Sequence, residues 1–456
     1  MNRFRKIAAS VAAFALFLLL PPFSGLAPAG QRVAGIVILA IFLWATEALP
    51  VGVSSLVVLI LLGVMGGLPH TELFTGFRSP ILYFMVGVMI MGGAIVKSGL
   101  ASRAARFFLH GARGSSKRLF FHCLISLPPL ALILPSAITR NAFLLPAYQE
   151  TFRELRLSRE DGLLKSVVLT LGLLNPLASS AFMTGGLAPM TTATMLGGFT
   201  WWKWFFLMSV PYYALMVLGG LWIAAVYPFP VHRFPPKPTT APSPLASQEI
   251  RVIAVFLLTS ILWLTDFWHG LHPAIPALIA ALLLCDRISG VLSWKEMEQA
   301  VPWSIFLVLG ASFSLAQALI ATGAAGWFAD AFSRITLQFR AHPSAVAALV
   351  VAMTVVIHLG IANMSACIAL LIPITTLLAQ VLHMNPLVFG LIVGISVDAV
   401  ILYPVQTATN LVAYETGLMD GRDVLKVGLG MWVLTTLVVV AIALPWWSFL
   451  GLSIRP

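Results

Sequence analysis

Apolar runs long enough to cross a bilayer recur from one end of the chain to the other. They lie near 7–22, 33–48, 51–67, 81–98, 163–197, 204–228, 250–265, 273–288, 303–320, 386–416 and 429–450. In hydrocarbon every backbone N–H and C=O must find a partner inside the protein, so runs of this length have to be helices. Charged residues make up only 9% of the 456, against about 25% in soluble domains. The sequence therefore predicts an all-α polytopic membrane protein with about eleven transmembrane helices.

The formal charge of +11 would point to nucleic acid in a soluble domain, but here the basic residues follow topology. With Arg3, Arg5 and Lys6 on the cytoplasmic side, the inner loops carry most of the remaining arginines and lysines, Lys117, Arg118, Arg153, Arg156, Arg159 and Lys165 among them. That is the positive-inside bias, with the N-terminus in and the C-terminus out of a cytoplasmic (inner) membrane. No nucleic-acid partner is expected. Two further segments, about 119–150 and about 345–382, each hold two short apolar arms. Only a re-entrant hairpin at each keeps the charge bias consistent. The first apolar run resembles a signal peptide but reads as an uncleaved helix, because Pro28 disfavours cleavage near "LAPAG". Cys123, Cys285 and Cys367 stand apart, with no metal or disulfide spacing.

The chain repeats itself. "LWATEALP" (43–50) is echoed by "LWLTDFWHGLHP" (262–273), "GGAIVKSGLASRAARFF" (92–108) by "AQALIATGAAGWFADAF" (316–332), and "SAITRNAFLLP" (136–146) by "NMSACIALLIP" (363–373). The offsets are 219 from Trp44 to Trp263, 224 from Gly99 to Gly323 and 227 from Pro146 to Pro373. The expected organisation is an N-terminal helix and linker (1–30), a first repeat (31–228), a Pro-rich cytoplasmic linker (229–249) and a second repeat (250–456). Five crossings per repeat, an odd number, insert the second copy upside down, the architecture of secondary transporters.

Four polar clusters remain inside apolar sequence, and they form two pairs. One pair is the hairpin tips: Ser136, Thr139, Arg140 and Asn141 in the first half, Asn363 and Ser365 in the second. The other pair is breaks in helices. Thr184, Gly185, Gly186 and Pro189 interrupt about 163–197, and Pro404 with Thr407, Thr409 and Asn410 interrupts about 386–416. A broken helix presents N–H groups and a positive dipole at one new end, suited to an anion, and carbonyls at the other, suited to a small cation. An arginine at membrane depth is costly and needs a partner or a task. Arg140 beside two helix N-termini is expected to form a pocket for a carboxylate, sulfate or similar oxyanion; the alternative is a structural arginine that caps carbonyls within its hairpin or reaches the cytoplasmic surface. Glu47 and Asp266, repeat mates near helix ends, read as scaffold. Asp398 stands alone within the helix leading to the second break and reads either as a proton or sodium site or as the salt-bridge partner of a basic side chain.

Assembled, these residues resemble the divalent-anion:sodium symporter family, carriers of di- and tricarboxylates or sulfate. "LWATEALPVGVSSLVVLILLGVMG" is similar to that family's second and third helices, the two hairpin segments fall where its paired Ser-Asn-Thr signatures lie, and "YPVQTATNLVAYETG" resembles its helix break. The resemblance implies eleven membrane helices, two re-entrant hairpins, a scaffold and a moving transport domain working as an elevator, and a homodimer. It implies anion ligands among Ser136, Thr139, Arg140, Asn141, Asn363, Ser365, Thr407, Thr409 and Asn410. It implies sodium ligands among Ser136, Thr184, Gly185, Gly186, Asn363, Ser365 and Thr407. Sodium is then the coupling ion, with no other cofactor. The first tip departs from the signature, reading Ser136-Ala137-Ile138, and Arg140 falls where dicarboxylate exchangers of the family carry an arginine. Exchange therefore stands beside cation symport. A channel or cation/proton antiporter using Asp398 is the third reading. An enzyme is not expected: "GASF" (310–313) has Phe313 where a rhomboid-type G-x-S-G needs its second glycine, and no H-E-x-x-H is present.

Overall fold

A computed structural model describes residues 3–46, 48–66, 68–100, 103, 115–133, 136–231, 244–361 and 363–455. Glu47, residues 101, 102 and 104–108 of the first glycine landmark and 232–243 of the linker lie outside them. The first half comprises α1 (Arg3–Leu19), α2 (Pro28–Thr46), α3 (Val51–Met65), α4 (Pro80–Ser98), α5 (Ser116–Ile133), α6 (Ala137–Glu154), α7 (Gly162–Ser180), α8 (Leu187–Leu196) and α9 (Trp201–Val226). The second comprises α10 (Ser247–Leu264), α11 (Ala274–Leu283), α12 (Trp294–Ala300), α13 (Trp303–Ala321), α14 (Ala324–Thr336), α15 (Pro343–Gly360), α16 (Met364–Val381), α17 (Pro386–Ala399), α18 (Ala408–Glu415) and α19 (Gly421–Phe449).

Among the described residues eight helices are long and apolar enough to cross a membrane, and four more apolar helices are shorter. Fewer than the eleven expected crossings are thus full-length. The run 273–288 shows why. Its helix α11 ends at Leu283, and the chain folds back so that the Leu292 N–H donates to the Leu284 carbonyl at 2.9 Å. Hydropathy continues past the point where the backbone turns. Ten residues at about 1.5 Å each span only about half of a hydrocarbon core.

Helices from the two halves interlock. α3 packs on α13 and α4 on α11; α8 packs on α16 and α6 on α18. Glycines permit the close approaches. A Cβ on Gly52 would press on Ser304, and one on Gly87 would meet the backbone of Ala277 at 2.7 Å. Beneath this shell α17 lies wholly inside, against α15, α16, α8 and α19, with every residue from Val388 to Ala399 buried.

Candidate functional site

Three of the four polar clusters begin helices in the same way. Ser136 caps α6, its Oγ accepting from the Thr139 N–H at 3.2 Å. Asn363 caps α16 through Oδ1 and the Ala366 N–H at 2.9 Å, and Thr407 caps α18 through Oγ and the Asn410 N–H at 3.2 Å. Each cap satisfies one of the donors a helix start leaves open and spends only the side chain's acceptor. The Ser136 and Thr407 hydroxyl protons and the Asn363 amide protons stay available to a ligand.

The fourth start is made of backbone alone. After Ser180 the chain turns, with Phe182 N–H donating to the Ser179 carbonyl and Gly185 N–H to the Phe182 carbonyl. α8 then begins at Leu187, with Pro189 in its first turn. Only glycine fits at 185, because a Cβ there would collide with the Ser179 carbonyl. The second break, 400–407, is braced by side-chain amides. Gln406 Oε1 accepts from the Leu402 N–H at 2.7 Å, Gln406 Nε2 donates to the His358 carbonyl, and Asn410 Nδ2 donates to the Pro404 carbonyl at 3.1 Å.

The starts of α6, α8, α16 and α18 all open onto one cavity of about 160 Å³, far above the ~10–15 Å³ that a single water needs. Ser136, Gly185, Gly186, Asn363, Ser365, Thr407 and Thr409 line it, as does Asp398. Ser179, Ser180 and Gln406, which the sequence did not single out individually, line it too. The two serines lie in "NPLASSAF", within the first break segment, and the glutamine in "YPVQTATN", within the second.

The remaining expected residues stand back from this wall. The sequence predicts that Arg140 faces the anion, but the residue does not line the cavity; its buried guanidinium is directed into α7. Nε donates to Asn175 Oδ1 at 2.6 Å, and Nη2 donates to the Asn175 carbonyl at 2.8 Å and to Ser179 Oγ at 3.0 Å. A buried cation must satisfy its N–H groups on nearby oxygens, and α7 offers three of them. Asn141, also behind the wall, donates to the Leu171 carbonyl at 2.9 Å and the Thr409 carbonyl at 3.1 Å, and accepts from Asn175 Nδ2 at 2.7 Å. Leu171 sits in the π-helical turn Thr170–Leu174 of α7, a geometry that disturbs the regular ladder of carbonyl acceptors. Asn410 braces the second break from behind. Thr184 accepts from Trp201 Nε1 at 3.2 Å and is absent from the wall. Thr139 lines a separate small pocket with Ser136, Val88 and Phe256. Asp266, the mate of Glu47, takes the Trp201 N–H at the start of α9, a scaffold contact.

The wall therefore carries four helix N-termini and a ring of neutral donors, with the Arg140 charge one hydrogen bond behind Ser179. Among the described residues its single carboxylate is Asp398. Such a site is electropositive at its surface and suits a small oxyanion.

Comparison with known proteins agrees. A family model described as the sodium:sulfate symporter transmembrane region matches residues 1–453. Na(+)/dicarboxylate cotransporter 3 of Rattus norvegicus is 21% identical, with 94% of this chain and 90% of that protein covered. Sodium-dependent dicarboxylate transporter SdcS of Staphylococcus saprophyticus is 22% identical, covering 94% and 88%. In fold, the chain is similar to the Alcanivorax borkumensis YdaH transporter, with a TM-score of 0.57 at 16% identity over 84% of this chain and 88% of that one.

Proposed function

The chain belongs to the sodium:sulfate symporter family, and from that premise we propose that it moves a small divalent anion, a dicarboxylate first of all, coupled to the movement of a cation. It is a multi-pass membrane protein and a secondary transporter of anions, not an enzyme. The observation that carries the finer reading is the convergence of four helix N-termini, two from each half, on one cavity. Each terminus contributes roughly half a positive charge. Together with the free donors of Ser136, Asn363 and Thr407 they match an anion with charge at two ends. The dicarboxylate relatives support the substrate class, and their sodium dependence supports sodium as a coupling ion.

In this reading the two halves are inverted repeats in the cytoplasmic membrane, with the N-terminus inside and the C-terminus outside. The reciprocal packing of α3 on α13 with α4 on α11, and of α8 on α16 with α6 on α18, supports a two-fold relation between them. The hairpins α5–α6 and α15–α16 and the broken helices α7–α8 and α17–α18 form the moving unit of an elevator, and the chain works as a homodimer. Arg140 favours a second mode, one-for-one exchange. A fixed charge behind Ser179 offsets part of the anion's charge, as a co-bound cation would.

The test is a thermal-shift screen of purified protein with succinate, malate, citrate, tartrate and sulfate, each with and without sodium, followed by uptake into proteoliposomes. A specific anion at a hundred times its Kd adds about 2.7 kcal/mol to apparent stability. Stabilisation by a dicarboxylate, enhanced by sodium, is expected. No shift and no counterflow with any of these anions would refute the proposal.

A further inference from the structure

Resting on the anion-transporter reading, we infer that Asp398 carries a proton across the membrane together with the anion, so that a proton is one of the coupling cations. Among the described residues Asp398 is the one ionisable side chain on the cavity wall, and it lies 1% exposed on α17. The Ser180 and Tyr212 hydroxyls are its neighbours. Its second oxygen, Oδ2, is closed to solvent and has no hydrogen-bond partner. Among the described residues no basic side chain forms an ion pair with it.

Other charged and titratable groups stand on the surrounding elements. Cys367 on α16 is buried, and the His358 ring on α15 is turned to the Ile361 carbonyl through Nδ1, with Nε2 buried and without a hydrogen-bond partner among the described residues. Arg140 on α6 is spent on Asn175 and Ser179. On α7 and α19, Lys165 pairs with Asp423, and the Lys426 ammonium lies over the Tyr227 ring. Arg422 stands beside Asp423 in the first turn of α19. α8 has no titratable side chain.

An unpaired carboxylate in a low-dielectric interior is costly while ionised. Three ligands could relieve it. A sodium ion or a substrate ammonium must touch the oxygen it binds, and Oδ2 is closed to both. A proton can be relayed: the Ser180 hydroxyl on the cavity wall gives its proton to the Asp398 carboxyl and takes one back from cavity water, and the same relay runs in reverse on the other side. The net change is one O–H bond made on Asp398 and one broken on a hydronium ion, each reversed on release. Coupling then follows from electrostatics. A dianion and an ionised Asp398 repel each other inside one cavity, so the anion favours the protonated acid, and by linkage the proton favours the anion equally.

The experiment uses wild-type proteoliposomes with equal sodium on both faces, the membrane potential clamped at zero and radiolabelled succinate or sulfate as probe. An inward-directed proton gradient of one pH unit, acid outside, should accumulate the anion about tenfold for one proton per anion, since one unit is worth 1.36 kcal/mol. A lumenal dye should report acidification as the anion enters. Both readings use the unsubstituted protein. With Asp398→Asn the accumulation driven by the pH gradient should fall to about onefold, and Asp398→Glu should restore it. Wild-type counterflow that ignores the pH gradient overturns the proton inference alone. So does Asp398→Asn protein that still accumulates succinate tenfold, because the proton then rides on the substrate. Absence of wild-type counterflow with either probe overturns the anion reading beneath it.

Discussion

Arg140→Lys separates a guanidinium that grips the anion from one that holds the wall. Arg140 makes at least three donating contacts to two residues of α7, at 2.6, 2.8 and 3.0 Å. Nε and Nη2 point the same way along a rigid fork, which lets one side chain take both the Asn175 side chain and its carbonyl. A lysine ammonium on a flexible stem keeps one of these. Losing two charge-assisted bonds, at about 1.5–3 kcal/mol each, predicts roughly 3–6 kcal/mol of lost stability. That loss should be visible in unfolding of the detergent-purified protein with no anion present. Asn175→Ala should remove one of these contacts, the Nε bond to Oδ1, so the double variant should be less destabilised than the two single effects added together, with a coupling of about 0.5–3 kcal/mol. Anion affinity, measured by calorimetry with succinate and sulfate, should fall because Ser179 keeps its bond to the Pro176 carbonyl but loses the guanidinium charge behind it. A direct ligand behaves differently. Lysine remains a competent point charge for an oxyanion, and the protein without anion would be untouched. An Arg140→Lys protein as stable as the wild type, additive with Asn175→Ala, would refute the wall-holding role.

Asn363→Asp keeps a residue that caps a helix as well as asparagine does, but sets a carboxylate beside the bound anion. Stability without anion should hold within about 0.5 kcal/mol, while the anion-induced thermal shift disappears; a retained shift would place the anion elsewhere. Gly185→Ala drives a Cβ against the Ser179 carbonyl, a backbone clash worth about 1–3 kcal/mol of overpacking. It should lower the unfolding temperature and slow uptake, and a Gly185→Ala protein with unchanged kinetics would show that the first break lies outside the transport path. At the surface, Lys97 bonded at 2.6 Å holds the Glu296 carboxyl at about 2, below its ordinary 4.5. Its folded value is depressed, so its contribution is present at neutral pH and lost as pH falls from about 4.5 through 2. Unfolding temperatures of wild type and Lys97→Met should differ at pH 7 and converge by pH 2.

What the sequence reveals of this site, and what it withholds, follows from the physics of helix starts. A helix that begins in water needs little help, because solvent satisfies its first N–H groups; one that begins inside a bilayer must be capped by its own chain. Ser136, Asn363 and Thr407 were legible for that reason, as members of polar clusters set inside apolar sequence. Gly185 and Gly186 were legible because a turn that brings backbone against the Ser179 carbonyl admits no side chain. Arg140 was legible as an anomaly, but its direction was not. Whether a guanidinium meets a ligand or the oxygens of α7 depends on a neighbouring helix 35 residues later in the chain. Gln406 and Asn175 were hidden for the same cause, since an amide that braces unwound backbone is indistinguishable in sequence from one that faces solvent. Asp398 could be read as buried but not as unpaired, because ion pairs form across helices. The capping residues thus mark where the chain turns at depth, and each such turn leaves a positive dipole end and spare donors that something must satisfy. Four of them meeting from both halves at one hollow leave an anion as the ligand that satisfies all of them at once.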